Sequence, residues 1–207
     1  MTRAEAMALV MLRLGKRTGL DTDVVLELKQ AQNDLETGEL LPWFLRKALS
    51  GLATVASTKT VSLPSDFIRE TEEKWWLTTT DGVKRLYKGE YDELYERELF
   101  DSDYLDSNYY ALVGGSIYIF PTPASAMAIA GFYFAGDVEL SAAETENNWL
   151  KYASGALIGK AGMRMAKTLR DETAYKIFSE DYNEAMGRLL RAEIARQQAA
   201  MNAVMGG

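Results

Sequence analysis

The chain contains neither cysteine nor histidine. Without cysteine it has no disulfide framework, no thiolate zinc site and no thiol nucleophile. Without histidine it also lacks Ser-His and Cys-His nucleophile pairs, zincin-type helices and the usual near-neutral proton shuttle. Proline is scarce, at four in 207 residues, so each one marks a boundary. No Asn-x-Ser/Thr sequon is present. Positive charge is in the minority, with 23 Lys and Arg against 30 Asp and Glu, and it is unevenly spread. Net charge is +1 over residues 1–65, −11 over 66–146 and +3 over 147–207. An acidic centre repels phosphate backbones, so specific DNA binding is not expected. Residues 107–136 carry no charge, but Gly114-Gly115 and two prolines interrupt them, and a membrane span is not expected.

What is present is a globular balance of 47% hydrophobic and 26% charged residues, enough for one domain or two small ones sharing a core. The start, MTRAEAMALVMLRLGKR, lacks a signal-cleavage pattern and reads as a mature helix. Thr2 and Glu5 have capping-box spacing, and Ala6, Leu9, Val10, Leu12 and Leu14 form an apolar stripe ending near Gly15. A second helix, capped by Asp21 or Thr22, runs to Gly38 and pairs with the first as an antiparallel hairpin. Pro42 opens a short third helix that ends by Gly51.

The middle of the chain changes period. ATVASTKTVSL favours extended backbone, Pro64-Ser65-Asp66 makes a turn, and residues 75–80 meet 83–87 across Asp81-Gly82 as a hairpin. Residues 90–99 fit a short helix and 101–108 a loop. Tyr109–Val113 and Ser116–Phe120 form a second hairpin on Gly114-Gly115, and a strand follows over Met127–Phe134. From Trp149 the helical period returns, with Asn147 or Asn148 as cap. Ala153, Ala156, Gly159, Met163 and Ala166 form a small-residue face. After a break at Arg170-Asp171 comes a last helix with a seam of Tyr175, Phe178, Tyr182, Ala185, Leu189 and Ala192, and the tail QQAAMNAVMGG is weakly specified. The fold expected is α+β, mainly a helical bundle built from both ends with an inserted antiparallel β domain. Its parts are helices at 1–53, the β domain at 54–137, helices at 138–187 and a tail at 188–207.

Chemistry-bearing constellations are few. Asp101, Asp103 and Asp106 gather carboxylates, but Leu105 breaks the calcium-loop pattern, which leaves a solvated acidic loop. Gly155 to Ala161 is one residue short of a phosphate loop and fits helix packing instead. Trp75 and Trp76 with Tyr87, Tyr91 and Tyr95 fit a stacking platform, or more simply cross-strand stabilisation. A carboxylate-based peptidoglycan hydrolase needs one carboxyl in an apolar pocket facing a second one, whereas Glu70, Glu72 and Glu73 read as a solvent face. No catalytic, metal or cofactor residue is assigned.

Five strings carry a family resemblance: ELLPWFL at 39–45, VSLPSDFIRE at 61–70, YYALVGGSIYIFPTP at 109–123, GFYFAGDVELS at 131–141 and NNWLKYASGALI at 147–158. In this order the chain resembles the head-to-tail adaptor (connector) proteins of tailed bacteriophages, especially the short-tailed type. The resemblance implies a non-enzymatic virion protein at the head-tail neck, made in the host cytoplasm, whose partners are the portal protein and tail or nozzle proteins. It implies a ring matching the portal, a dodecamer, with helices around the ring and the β domain toward the tail. It implies that this ring closes the packaged head and that DNA passes its lumen without specific binding. It further implies that the C-terminal segment reaches the portal, which makes Arg188, Leu189, Leu190, Arg191, Ile194 and Arg196 the expected docking residues. By composition alone these six suit either an acidic partner or a solvated helix face. Another neck or tail ring protein is the nearest alternative.

Overall fold

The structure, a computed structural model, describes residues 1–71, 74–80, 82–100 and 108–205, with side chains as far as residue 199. Two compact units divide the chain: Met1–Leu45 with Gly136–Gly207, and Arg46–Ala135.

The first unit is helical: α1 (Arg3–Arg13), α2 (Asp21–Glu36), α4 (Asn148–Tyr152), α5 (Ser154–Thr168) and α6 (Glu172–Met205), while α3 (Tyr91–Phe100) belongs to the second unit. The capping box of α1 forms as the sequence requires. The Thr2 hydroxyl accepts from the Glu5 amide at 3.2 Å, and the Glu5 carboxylate accepts from the Thr2 amide at 2.9 Å. Of the expected stripe, Ala6, Val10 and Leu14 are buried while Leu9 and Leu12 stay exposed, because the buried residues recur every four positions and the other two fall on another face. Helix α2 starts at Leu20 without a side-chain cap, and Asp21 and Asp23 sit in its first turn, where the helix dipole favours them.

The C-terminal helix expected from Trp149 is two helices. Asn147 caps α4 by accepting from the Leu150 amide at 2.9 Å, and Ala153 breaks the run before α5. Small residues on α5 then let α6 approach until a Cβ at Gly162 would lie 2.2 Å from the Phe178 ring. Arg164 of α5 clamps α2, pairing with Glu27, Gln30 and Asp34.

The second unit corrects the expected architecture. It is not an antiparallel insert on a dominant bundle but one mixed sheet of eight strands, counted among the described residues: β1 (Arg46–Ala53), β2 (Thr60–Ser62), β3 (Phe67–Glu70), β4 (Trp75–Thr79), β5 (Gly82–Lys88), β6 (Asn108–Val113), β7 (Ser116–Phe120) and β8 (Ala128–Ala135). The order is β1-β8-β4-β5-β6-β7-β2, with β3 also pairing β8. Leu49 and Val61, from the two ends of this order, enter the same core cluster, so the sheet curls into a nearly closed barrel. Strands β5 and β6 run parallel, joined by the crossover through α3. The third helix expected after Pro42 stops at Leu45 as a short 3-10 turn, and β1 takes over. Leu49 faces inward there, and Gly51, at φ 76, accompanies a register shift against β8, so sheet pairing overrides the helix propensity of Lys, Ala and Leu.

Both hairpins form. Trp75 pairs Leu86 and Thr79 pairs Gly82, with Asp81 itself outside the described residues. Val113 pairs Ser116 across Gly114 and Gly115, whose φ of 57 and 79 only a glycine-rich turn adopts easily. The interior is aromatic: Trp75 stacks on Tyr110 at 4.9 Å and Phe67 on Tyr133 at 5.6 Å, while the Trp75 indole donates to the Phe132 carbonyl at 3.0 Å. Helix α3 seats Leu94 with Ala111 and Phe120 on β6 and β7.

Candidate interaction surface

Helix α6 carries all six residues expected to dock, and a rotation of about 100° per residue distributes them over three faces. Leu189 and Arg196 turn toward their own unit. Leu189 is only 8% exposed, and the Arg196 guanidinium lies 3.7 Å over the Trp43 ring. Between them Glu193 accepts from the Trp43 amide at 3.3 Å. Trp43 in turn contacts Tyr152 at 5.0 Å and Phe44 at 5.7 Å, and Phe44 meets Trp149 at 5.1 Å, so this stretch of α6 rests on an aromatic cluster. Leu190 and Ile194, one helical turn apart, are 47% and 43% exposed. Arg188 and Arg191 are exposed on a third face, and Arg188 pairs with Glu184 along the helix. The structure thus brings together Leu190 and Ile194, with Arg191 on the adjoining face and Arg188 turned away beside Glu184, and sets Leu189 and Arg196 against their own unit. Residues 188–199 continue the same helix that packs on α5.

The most buried carboxylate lies elsewhere in this unit. Burial raises the Glu36 pKa, and hydrogen bonds from Gln32 at 2.9 Å, the Asp137 amide at 3.2 Å and the Trp149 indole at 3.1 Å lower it without offsetting the burial. Asp137 accepts from the Trp149 amide and the Asn148 side chain, both at 3.1 Å, while Asn147 donates to Gln32 and to the Val138 carbonyl, also at 3.1 Å. A hydrolase acid would need an unpaired carboxyl aimed into a cleft. Glu36 instead knits α2 to the start of α4, which is a structural joint.

The remaining sequence candidates separate. Trp75 is buried in the sheet core, and Trp76 points outward beside a cleft of about 590 Å³ lined by Lys74, Ala130 and Phe132. Tyr87 pairs with Tyr109, and Tyr91 with Tyr95, so the five aromatics do not form one platform. Gly155 to Ala161 lies in α5 against α6, as helix packing requires. Glu70 accepts from the Tyr110 hydroxyl at 2.7 Å and pairs with Lys88, so it is part of the sheet's polar edge rather than a plain solvent face. Asp101, Asp103, Asp106, Glu72 and Glu73 lie outside the described residues. Among the described residues no cluster of carboxylates is arranged to hold a metal ion, and no helix is long and apolar enough to cross a membrane.

Sequence reasoning passed over two exposed apolar surfaces: the outer side of α1 around Leu12, and the outer side of α3 with Leu99 and Phe100. A signal for each exists in the chain. Leu12 falls off the Ala6, Val10, Leu14 repeat, and Leu99 and Phe100 fall on the helix side opposite Leu94.

No curated protein matches the chain. The family model described as SU10 adaptor protein matches residues 1–205. That match takes in both compact units and the whole of α6. The chain therefore belongs to the SU10 adaptor protein family and is a phage adaptor protein.

Proposed function

We propose that this adaptor is a structural, non-enzymatic component of the virion neck in a short-tailed phage. It forms a dodecameric ring beneath the portal, closes the packaged head and offers a platform to tail or nozzle proteins. The carrying observation is the Leu190 and Ile194 pair, half-exposed on α6 with exposed Arg191 beside it. An apolar pair with a neighbouring cation suits a pocket on an acidic partner, where the apolar part supplies affinity and the cation supplies orientation and on-rate. Leu189, Glu193 and Arg196 hold this helix to its own unit, so the ridge is preorganised rather than ordered on contact. DNA crossing the lumen of such a ring meets a chain of net charge −7, which disfavours sticking.

The test is the mass by light scattering of the chain mixed with its portal ring. The wild type is expected to form a stoichiometric portal-bound ring. The double variant L190D/I194D changes only exposed side chains and is expected to keep the fold, judged by circular dichroism, while losing association. A folded double variant that binds the portal like the wild type overturns the docking assignment. A wild type that never joins the portal overturns the neck reading.

A further inference from the structure

Away from the end of α6, the two units each present an exposed apolar surface, one on α3 set among carboxylates and one on α1 that offers the cation Lys16. On α3, Leu94 anchors the inner side, and Tyr91 packs on Tyr118 at 4.9 Å. The outer side carries Tyr95 at 41% exposure, Leu99 at 59% and Phe100 at 85%, with exposed Asp92 and Glu96 among them. Residues 90–100 hold five carboxylates and a single cation. A Phe at the end of a helix with most of its ring in water is costly to leave uncovered.

On α1 the buried side is Ala6, Val10 and Leu14. Next to it Met7, Met11 and Leu12 line a groove of about 510 Å³ that runs to Lys16 and Arg17, with Asp21 at its edge. The charged residues that line it are Lys16, Arg17 and Asp21. Arg17 shares its charge with Asp171 at 3.0 Å, which leaves Lys16 as the cation to meet an incoming carboxylate. Methionine-lined grooves adapt to the shape of an inserted side chain.

We propose that the α3 ridge of one copy seats in the α1 groove of the next copy, with Leu99 and Phe100 against Met7, Met11 and Leu12, and Asp92 and Glu96 beside Lys16. The occupant is a second copy because both complementary surfaces lie on one chain at different patches. Such a contact is heterologous and repeats from copy to copy until it closes a ring. This inference rests on the ring reading given above and supplies the contact that would build it.

The absence of cysteine makes the test clean. Two single variants, L99C and M11C, are mixed, assembled with the portal ring and oxidised, so that any disulfide dimer must join two chains. The expected result is a dimer from the mixture and a ladder of multimers from the double variant L99C/M11C. L26C, on exposed Leu26 of α2, mixed with L99C is expected to give no dimer. As a second readout, E96K is expected to lose ring assembly and K16E/E96K to regain part of it. A portal-bound ring of wild-type stoichiometry with no Leu99-to-Met11 disulfide overturns this interface and leaves the ring reading standing. A chain that stays monomeric and never joins the portal overturns both.

Discussion

The helical unit closes around small residues and a saturated polar joint, whereas the sheet unit closes around large aromatic rings. In the first, Gly159 and Gly162 bring α6 down onto α5, and Gln32, Glu36, Asp137 and Asn147 satisfy one another. In the second, Trp75, Tyr110, Phe67 and Tyr133 stack within a curled sheet. The difference shows where each unit is fragile. The helices depend on small residues that admit Phe178, and the barrel depends on the large rings that fill it.

The largest expected effects come from truncating the central ring in each unit. Trp75 is 1% exposed and Phe178 is fully buried, so W75A and F178A should each cost about 3–5 kcal/mol. Native-state hydrogen exchange should then separate them, with W75A loosening amides of β4, β5 and β8 and F178A those of α5 and α6. Equal loss of protection in both units for either variant would mean that the two units unfold as one.

Adding a single methyl is expected to cost less and to discriminate more finely. A Cβ at Gly131 would sit 2.4 Å from Trp75 Cδ1, and one at Gly162 2.2 Å from Phe178 Cδ1. Both overpack a ring that cannot retreat, at about 1–3 kcal/mol. Alanine regains about 1 kcal/mol of helix propensity at Gly162 and nothing comparable in strand β8. G131A should therefore be the more destabilising of the two, seen as a lower urea midpoint at unchanged m-value. The reverse order would show that the strand yields more readily than the helix pair.

The same contrast explains how much of the molecule was legible in its sequence. Helix signals are local: the capping box at Thr2 and Glu5, the Asn147 cap and the break near Arg170 all emerge from spacing within a few residues. The two hairpins were legible because their turns are chemically marked by Gly82 and by Gly114-Gly115. Sheet closure was not legible, because it depends on pairings such as Arg46 with Phe134, nearly ninety residues apart, which no window contains. The parallel β5-β6 pair did leave a trace, since strand, helix, strand in succession is the pattern of a crossover, but a short charged helix does not by itself fix the direction of the strand that follows. For the expected docking surface, sequence named residues of α6, of which Leu190, Ile194, Arg188 and Arg191 are exposed. It also named Leu189 and Arg196, because the partners that claim them, Trp43 above all, lie about 150 positions away.

The smallest effect expected is electrostatic, and it has opposite sign in the two units. Burial raises the Glu36 carboxyl in the helical unit above its ordinary value of 4.5 despite its three donors. In the sheet unit burial also pushes Asp66 up, but the Lys47 ammonium at 2.6 Å and the Tyr133 hydroxyl at 2.9 Å prevail and hold it below 3.8. Glu98 behaves likewise, burial being overcome by Lys59 and by the Thr122 amide and hydroxyl at 2.9 and 2.8 Å. A raised carboxyl binds its proton more tightly in the folded state, so the helical unit should gain stability as pH falls toward 4.5 through the folded Glu36 value. Lowered carboxyls stabilise only while ionised, so the sheet unit should lose stability as pH falls below 3.8 through the folded Asp66 value. Hydrogen exchange followed from about pH 7 downward should therefore show helical amides becoming more protected before sheet amides become less so. E36Q should abolish the first change and D66N should lessen the second, leaving the share that Glu98 carries, whatever each does to stability at neutral pH. A wild-type slope retained in E36Q would mean that the joint around Glu36 is wet enough to titrate like an ordinary surface carboxylate, and that its hydrogen bonds, rather than its burial, set its behaviour.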